Sequence, residues 1–440
     1  AETTLEEISN KNAESIPVLV YHGVTRNPEE IENPTEEISQ QNFADQMFEL
    51  KRNGYKTITL KEFEDFLDGK IELSQKSFLL TFDDGIKTSY YNTDPILEIL
   101  GYNAVMYVIT SHSVGNEKSP YYLSQEEILE MSRTGRWDLQ SHGKENHDLI
   151  RISKDGKKGH FISNKMWLER ENRLETDFEY ENRIRQDMVQ SKKDLEKLLK
   201  KTVTSYAFPF GDYGEGEEVS KILPIVGSVY NNYMIQFRTD KRTGYFRANF
   251  RGNPDKKMIR RIKSAQDVSL SNLLLYVNAS IAKELPYQNS FSENKQNWVT
   301  SNANLGLSVE NGSLYIETAS KSASLTSFLD GAYLWKDYQF EVTAKLLNGK
   351  SFSLISRAID GNNMYVCTFG EDTITIDQRV LGERVVLGKT GSNYFLAIKK
   401  GARVGMSIIG NKISCLYKGQ TLVSAESTPV VIPNGGIGFG

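Results

Sequence analysis

Up to about residue 280, short apolar runs alternate with stretches of helical periodicity. Residues 17–21 (PVLVY) read as a buried strand, and 41–53 have the spacing of an amphipathic helix that ends before Gly54. Residues 56–60 predict a strand and 61–67 a short helix. The same rhythm continues with a strand over 76–82 (KSFLLTF), a helix over 86–100 and a strand over 104–109. Ser124 is placed to cap a helix that carries Glu126 and Glu127 in its first turn and closes at Gly135. Residues 137–140 return as a strand. This β-then-α order predicts an α/β domain, a parallel sheet or barrel covered by helices. In such barrels the chemistry sits at the C-terminal ends of the strands.

Residues 154–175 interrupt the rhythm as a polar insertion with Trp167 as its one large anchor, and 178–200 form a long charged helix whose charges read as a solvated face. After Tyr287 the helical period disappears. Runs rich in Val, Ile, Thr and Tyr alternate with Asn311-Gly312, Asp330-Gly331, Asn348-Gly349, Asp360-Gly361 and Gly410-Asn411, the signature of antiparallel hairpins in a β-sandwich. Residues 285–290, with Pro286, are the expected linker. The expected domains are therefore 1–284 and 285–440. The last residues, 437–440, read as a strand, so the natural chain is expected to continue.

A length of 440 residues agrees with two cores rather than one. The formal net charge of -4, with no block of one sign, gives no electrostatic reason to expect nucleic acid as a partner. No apolar run approaches the ~20 residues needed to span a bilayer. The polar start at Ala1 fits a mature protein whose targeting segment has been removed. Cys367 and Cys415 both lie in apolar stretches, and are expected as buried, unpaired thiols rather than a disulfide.

Three segments offer chemistry. Thr81-Phe82-Asp83-Asp84-Gly85 follows a predicted strand; adjacent carboxylates diverge there, so one can ligate a metal while the other faces a reacting water. Ser141-His142-Gly143-Lys144-Glu145-Asn146-His147 follows another strand and crowds two of the chain's five histidines into one loop. Two imidazoles and a carboxylate make a His₂Asp set with open positions for water and substrate. Ala207-Phe208-Pro209-Phe210-Gly211 follows a third strand; Pro209 fixes the backbone, so that the Phe210 amide can be aimed as an oxyanion donor. Each segment taken alone also has a plainer reading: a polar turn, two exposed loop histidines, and an aromatic-proline turn on the core.

Together, in order and context, they resemble the polysaccharide deacetylases of carbohydrate esterase family 4. Thr81 to Gly85 matches that family's first motif residue for residue. His142 and His147 match the second with one residue more between them than most members have, and Phe208 to Gly211 match the third. The wider spacing, with residues 17–24 (PVLVYHGV) and 181–213, is similar to the branch acting on poly-β-1,6-N-acetylglucosamine of biofilm matrices. The likeness covers roughly residues 15–270. It implies a distorted (β/α) barrel with Asp83 as catalytic base. Asp84, His142 and His147 would hold one divalent metal, zinc first, with cobalt, nickel or iron also accepted by such ligands. Phe210, supported by Pro209 and Gly211, would face the oxyanion. The implied reaction releases acetate from a secreted or cell-surface enzyme's polysaccharide substrate and leaves a free amine.

Two departures from the family pattern stand out. The arginine that usually precedes the third motif and orders the base aligns with Ala207, and no histidine follows His160 to act as the usual general acid. Residues 258–263 (MIRRIK) stand where that motif belongs and offer Arg260, Arg261 and Lys263. Two proton routes to the leaving amine remain: Asp83 returns the proton it took, or His22, at the end of the first strand, donates one. The first is favoured because the motif itself places Asp83 beside the metal; for His22 a structural role is the plain alternative. His112 and His160 read as exposed. The β-rich half resembles concanavalin-like or laminin-G-like sandwiches, in which Trp298, Tyr333, Trp335 and Tyr338 either stack on sugar rings or, the better expectation, pack the core. Rival readings are deacetylation of peptidoglycan, chitin-like or O-acetylated glycans, and a non-catalytic polysaccharide-binding protein on the same scaffold.

Overall fold

The computed structural model describes residues 12–440 except 116–118, 214–218, 238–248, 252–257, 279–280, 293–297, 301–304, 319–326, 330, 359–362, 381–382, 428 and 430–431. The chain forms two compact units, one of residues up to 238 with 247–278 and the other of residues from 279 on.

The first unit is a closed parallel barrel. Its strands are β1 (Val18–Tyr21), β2 (Ser77–Phe82), β3 (Ala104–Val108), β4 (Trp137–Ser141), β5 (Ser205–Ala207), β6 (Asn232–Phe237) and β7 (Met258–Lys263). Each pairs in parallel with the next, and β7 closes on β1. The strands are short, and β1, β2 and β3 are almost wholly apolar because both faces are covered, one by the barrel interior and one by helices. β2 and β3 are buried at every position. The covering helices are α1 (Gln40–Arg52), α2 (Leu60–Leu67), α3 (Lys87–Leu100), α4 (Gln125–Arg133), α5 (Asp177–Leu199), α6 (Val219–Val229) and α7 (Leu270–Asn278). Ser124 caps α4 through a reciprocal box with Glu127, and Thr176 caps α5 in the same way with Glu179. The strand expected over 56–60 shrinks to Lys56–Thr57, because Thr59 leaves it to cap α2.

The second unit packs two antiparallel sheets face to face. Its strands are β8 (Trp298–Thr300), β9 (Ser327–Leu329), β10 (Tyr338–Ala344), β11 (Ser351–Ala358), β12 (Met364–Gly370), β13 (Thr373–Val380), β14 (Glu383–Gly391), β15 (Ala402–Ile409), β16 (Lys412–Tyr417), β17 (Gln420–Glu426) and β18 (Gly436–Phe439). One sheet runs β8-β9-β18-β11-β12-β13-β14 and the other β10-β15-β16-β17; a separate hairpin turns at Asn311-Gly312. Asp330 and the turn expected at Asp360-Gly361 lie outside the described residues, while Gly331 holds φ +78°. Trp298, Tyr333, Trp335 and Tyr338 are all buried, so their aromatic area packs the sandwich.

The cysteines correct the sequence expectation. Cys367 on β12 and Cys415 on β16 are joined as a disulfide across the two sheets, with Cα atoms 5.8 Å apart. Both were legible as buried. Their pairing was not, because facing positions on different sheets have no local sequence signature. The bridge closes a 48-residue separation, so replacing both cysteines by alanine should destabilise the sandwich by about 2–4 kcal/mol. Urea denaturation followed in the second unit checks this, and an unshifted midpoint would show that the bridge adds no stability.

Candidate metal and catalytic site

The strand ends of the barrel are level. Tyr21 pairs with Phe82, Val108 with Ser141, and Ser141 with Tyr206. The residues that follow, His22, Asp83, Asp84, His142 and the segment from Phe208, therefore emerge on one rim. The Asp83 amide donates to Tyr21 O at 3.0 Å and the His142 amide to Val108 O at 2.9 Å, extending the sheet ladder to the site itself.

Beyond β2 the chain turns sharply. Asp84 has φ +70° and Gly85 φ +73°, and a non-glycine in the left-handed region is uncommon and concentrated at functional sites. The turn sends the neighbouring carboxylates apart: Asp83 inward and Asp84 toward the histidine loop. That loop depends on Gly143, at φ +83°, where a Cβ atom would lie 2.0 Å from the Asn146 side chain. The Asn146 amide donates to the Tyr206 hydroxyl. From α5, buried Asp187 accepts the backbone amides of Lys144 at 3.0 Å and Glu145 at 2.7 Å. The α5 charges were read as a solvated face. Asp187 departs from it because it supplies acceptors for two loop amides that would otherwise be unpaired. Clamped at both points, the loop brings the His142 and His147 rings to 5.4 Å.

Asp84, His142 and His147 each offer one ligand atom, all within 4.8 Å of one another. Asp84 Oδ1 lies 3.2 Å from Nε2 of both histidines, yet it is buried and accepts no hydrogen bond among the described residues. His142 Nδ1 is 2.8 Å from Ala207 O; a carbonyl only accepts, so Nδ1 carries a proton, and in its neutral form the ring turns the Nε2 lone pair toward Asp84. A lone pair facing a carboxylate oxygen repels it unless a cation lies between them. The donor set, with its second-contact carbonyl fixing the tautomer, fits a divalent metal with nitrogen and oxygen ligands.

Asp83 is almost wholly buried and held from the far side of the barrel. Arg261, on β7, donates through Nη1 to Oδ1 and through Nη2 to Oδ2, both at 2.6 Å. Arg261 is itself fully buried over the Tyr107 ring. Burial pushes the Asp83 carboxyl up, but Arg261, with His142 and His22, outweighs it and holds the group below its ordinary value. Burial also acts on Asp84, whose carboxyl the His142 and His147 contacts hold well below the usual range. The ordering arginine absent at Ala207 is thus replaced by Arg261, one of the three cations offered by residues 258–263. Lys263 pairs with Glu36, and Arg260 joins Asn249 through its backbone.

His22 reaches the same carboxylate. Its Nε2 lies 3.9 Å from Asp83 Oδ2 and its Nδ1 3.7 Å from Glu36. Beyond β5, Pro209 is buried, and Phe210 takes φ +59° with its ring half exposed. That ring lies 4.4 Å from His147 and 4.7 Å from His160, and Gly211 follows at φ +67°. Among the described residues the Phe210 amide has no backbone acceptor. His160 was expected to be merely exposed. It stacks on Phe210 and lies 3.3 Å from Asp212, because the insertion folds a hairpin (Leu149–Arg151 with Lys158–His160) beside the loop of the third motif. His112 likewise stacks on Tyr122 at 4.5 Å and is only partly exposed.

Residues 70–221 match the family model described as polysaccharide deacetylase. The chain carries a polysaccharide deacetylase domain. This deacetylase domain is 33% identical over 176 residues to a poly-beta-1,6-N-acetyl-D-glucosamine N-deacetylase of Staphylococcus aureus, an overlap of 40% of this chain and 53% of that protein. The chain thus spans about half the length of the curated relatives it matches. Its barrel shares its fold with a de-N-acetylase from Aggregatibacter actinomycetemcomitans, at TM-score 0.51 and 22% identity over 60% of this chain and 99% of that one. IcaB from Ammonifex degensii is similar at TM-score 0.45 and 22% identity, over 60% of this chain and 97% of the other. Among the described residues no helix is long and apolar enough to cross a membrane.

Proposed function

We propose that the deacetylase domain is a metal-dependent N-deacetylase of an extracellular N-acetylglucosamine polysaccharide, with poly-β-1,6-N-acetylglucosamine as the leading substrate. The observation that carries this reading is the convergence of Asp84, His142 and His147 beside an Asp83 carboxylate locked by Arg261. The name of the Staphylococcus aureus relative supports the polymer. The disulfide supports an oxidising compartment outside the cytosol.

Asp84, His142 and His147 would hold one divalent ion, zinc before cobalt, nickel or iron, which when bound lowers the pKa of a water and polarises an acetamide carbonyl. Asp83 is the base that takes the attacking water's proton. It stays ionised because Arg261 favours its charged form, and its direction is fixed by two hydrogen bonds. As the carbonyl carbon becomes tetrahedral, the Phe210 amide donates to the developing oxyanion. Collapse then breaks the carbon–nitrogen bond, and the departing nitrogen needs a proton. We assign that step to His22 rather than to the return route from Asp83. His22 Nε2 lies 3.9 Å from Asp83 Oδ2 and its Nδ1 is buried without a hydrogen-bond partner among the described residues, so a second proton carrier stands beside the base and Asp83 need not return the proton it took. The products are acetate and a glucosamine unit with a free amine.

Acetate release from a panel of acetylated glycans, together with metal analysis, tests the reading. Poly-β-1,6-N-acetylglucosamine should yield acetate, a chelator should abolish the release, and added zinc should restore it. Release only from peptidoglycan, chitin-like or O-acetylated glycans would reassign the substrate, and no release from any glycan would overturn the assignment. His22→Ala should lower turnover about 100-fold with metal content unchanged, the lower end of what general acid catalysis contributes. A loss of only a few-fold would return the proton donation to Asp83.

A further inference from the structure

With Trp298, Tyr333, Trp335 and Tyr338 committed to the core, the sandwich has no exposed tryptophan or tyrosine among these four to offer a sugar. At one end of the four-stranded sheet it has instead a cavity of about 460 Å³ whose largely apolar wall carries a few polar groups, within the range of small-molecule sites. Lys336 and Asp337 line it from the start of β10, Arg357 from the end of β11, Gly410 and Asn411 from the β15–β16 turn, and Pro433 from the approach to β18.

Arg357 builds the floor. It is buried and holds φ +40°, a left-handed conformation that costs energy in any residue but glycine. Its guanidinium donates to Lys336 O at 2.8 Å, to Ile432 O at 3.3 Å and to Asp337 Oδ1 at 2.9 Å. Its own amide donates to the Tyr338 hydroxyl at 2.7 Å. Asp337 Oδ1 also accepts the Gly410 amide at 2.7 Å, so one carboxylate oxygen locks two loops together. The carboxylate remains more than half exposed. Among the described residues, Asp337 Oδ2, the Lys336 ammonium and the Asn411 side-chain amide take no protein partner. A rigid floor therefore presents a free acceptor, a charged donor, an amide that does both, and the apolar ring of Pro433.

We infer that this cavity binds a saccharide unit of the polymer in its N-acetylated form; the inference rests on the substrate class proposed above. Adjacent sugar hydroxyls both donate and accept, so a carboxylate flanked by an ammonium and an amide can hold a pair of them. The acetamide oxygen is an acceptor for the same donors, and a pyranose C–H face fits a proline ring. The cavity sets two cations, Lys336 and Arg357, against one carboxylate, which disfavours the ammonium left by deacetylation. The sandwich thus holds the enzyme on polymer still to be processed and releases it from finished product.

Co-sedimentation of the full chain with insoluble poly-β-1,6-N-acetylglucosamine, native and chemically deacetylated, tests this, with acetate measured in the same samples. The parent should favour the acetylated polymer. Lys336→Ala combined with Asn411→Ala removes two donors that hold nothing else in place, and should weaken retention about tenfold without moving the melting temperature. Asp337→Ala should weaken it further. Unchanged retention in the double variant, or a parent that favours the deacetylated polymer, overturns the cavity as the binding site. If acetate still appears while the double variant binds as the parent does, the cavity falls and the deacetylase reading stands. If no acetate appears but the double variant loses retention, the deacetylase reading falls and the cavity stands.

Discussion

Asp83→Asn should reduce acetate release by about 10²–10⁴-fold, the range that a positioned general base contributes. An amide keeps the shape of the carboxylate but cannot take a proton from water at neutral pH. The three metal-ligating side chains are untouched, so metal content should not change. The structure adds a second consequence. Both Asp83 oxygens accept from Arg261 at 2.6 Å, and in asparagine one of them becomes an NH₂ group facing another donor. The variant should therefore also melt earlier, by about 3 kcal/mol, because the buried Arg261 cation loses its counter-charge and one donor is left unsatisfied, while the amide oxygen keeps one hydrogen bond. Activity must accordingly be compared per folded, metal-loaded molecule, well below the variant's melting temperature. Turnover within a few-fold of the parent under those conditions would place the base elsewhere.

The ease with which Asp83, Asp84, His142 and His147 were found from sequence has a physical cause. Each lies within a residue or a short loop of an apolar strand, and a parallel barrel puts all strand C-termini on one rim. Local pattern and topology together then specify which segments meet. What the sequence left hidden is held by contacts across the fold. Arg261 stands 178 residues from Asp83 and could be offered only as one of three cations on its strand. Asp187 looked like one more charge on a charged helix, because the period of α5 does not record which turn of the helix passes beneath the histidine loop. His160 was taken as exposed since nothing in a polar insertion tells where its hairpin folds back. The same limit applies to Cys367 and Cys415, whose meeting depends on how two sheets stack. His22 lies between these cases: its strand end was legible, but its approach to Asp83 depends on the closure of β1 on β2.

Arg261→Met should produce the largest loss of stability of any single change at the site. Removing one partner of a buried ion pair leaves the other charge without compensation, which typically costs about 3–5 kcal/mol. Arg261 and Asp83 are both buried and joined twice, so the upper part of that range is expected. The effect on chemistry separates from the effect on folding through pH. Burial alone raises the Asp83 carboxyl, and Arg261 is the main force that brings it below its ordinary value. Without the guanidinium, the acid limb of kcat/KM should move to higher pH, because the base becomes protonated sooner as pH falls. The sign for stability follows the same linkage. A depressed carboxyl pKa contributes stability above the unfolded-state value, and that contribution disappears as pH falls through the folded-state value. The parent should therefore lose this part of its stability on acidification, while in Arg261→Met burial holds the Asp83 carboxyl above its ordinary value, so this group should contribute the opposite sign and gain stability as pH falls. Arg261→Lys supplies the control. A lysine keeps the charge but is a point donor that cannot make the paired, planar contact, so it should restore part of the acid limb and little of the turnover. If Arg261→Met melts earlier but keeps the parent's pH profile, the arginine only supports the fold, and Asp83 owes its charge to its other neighbours.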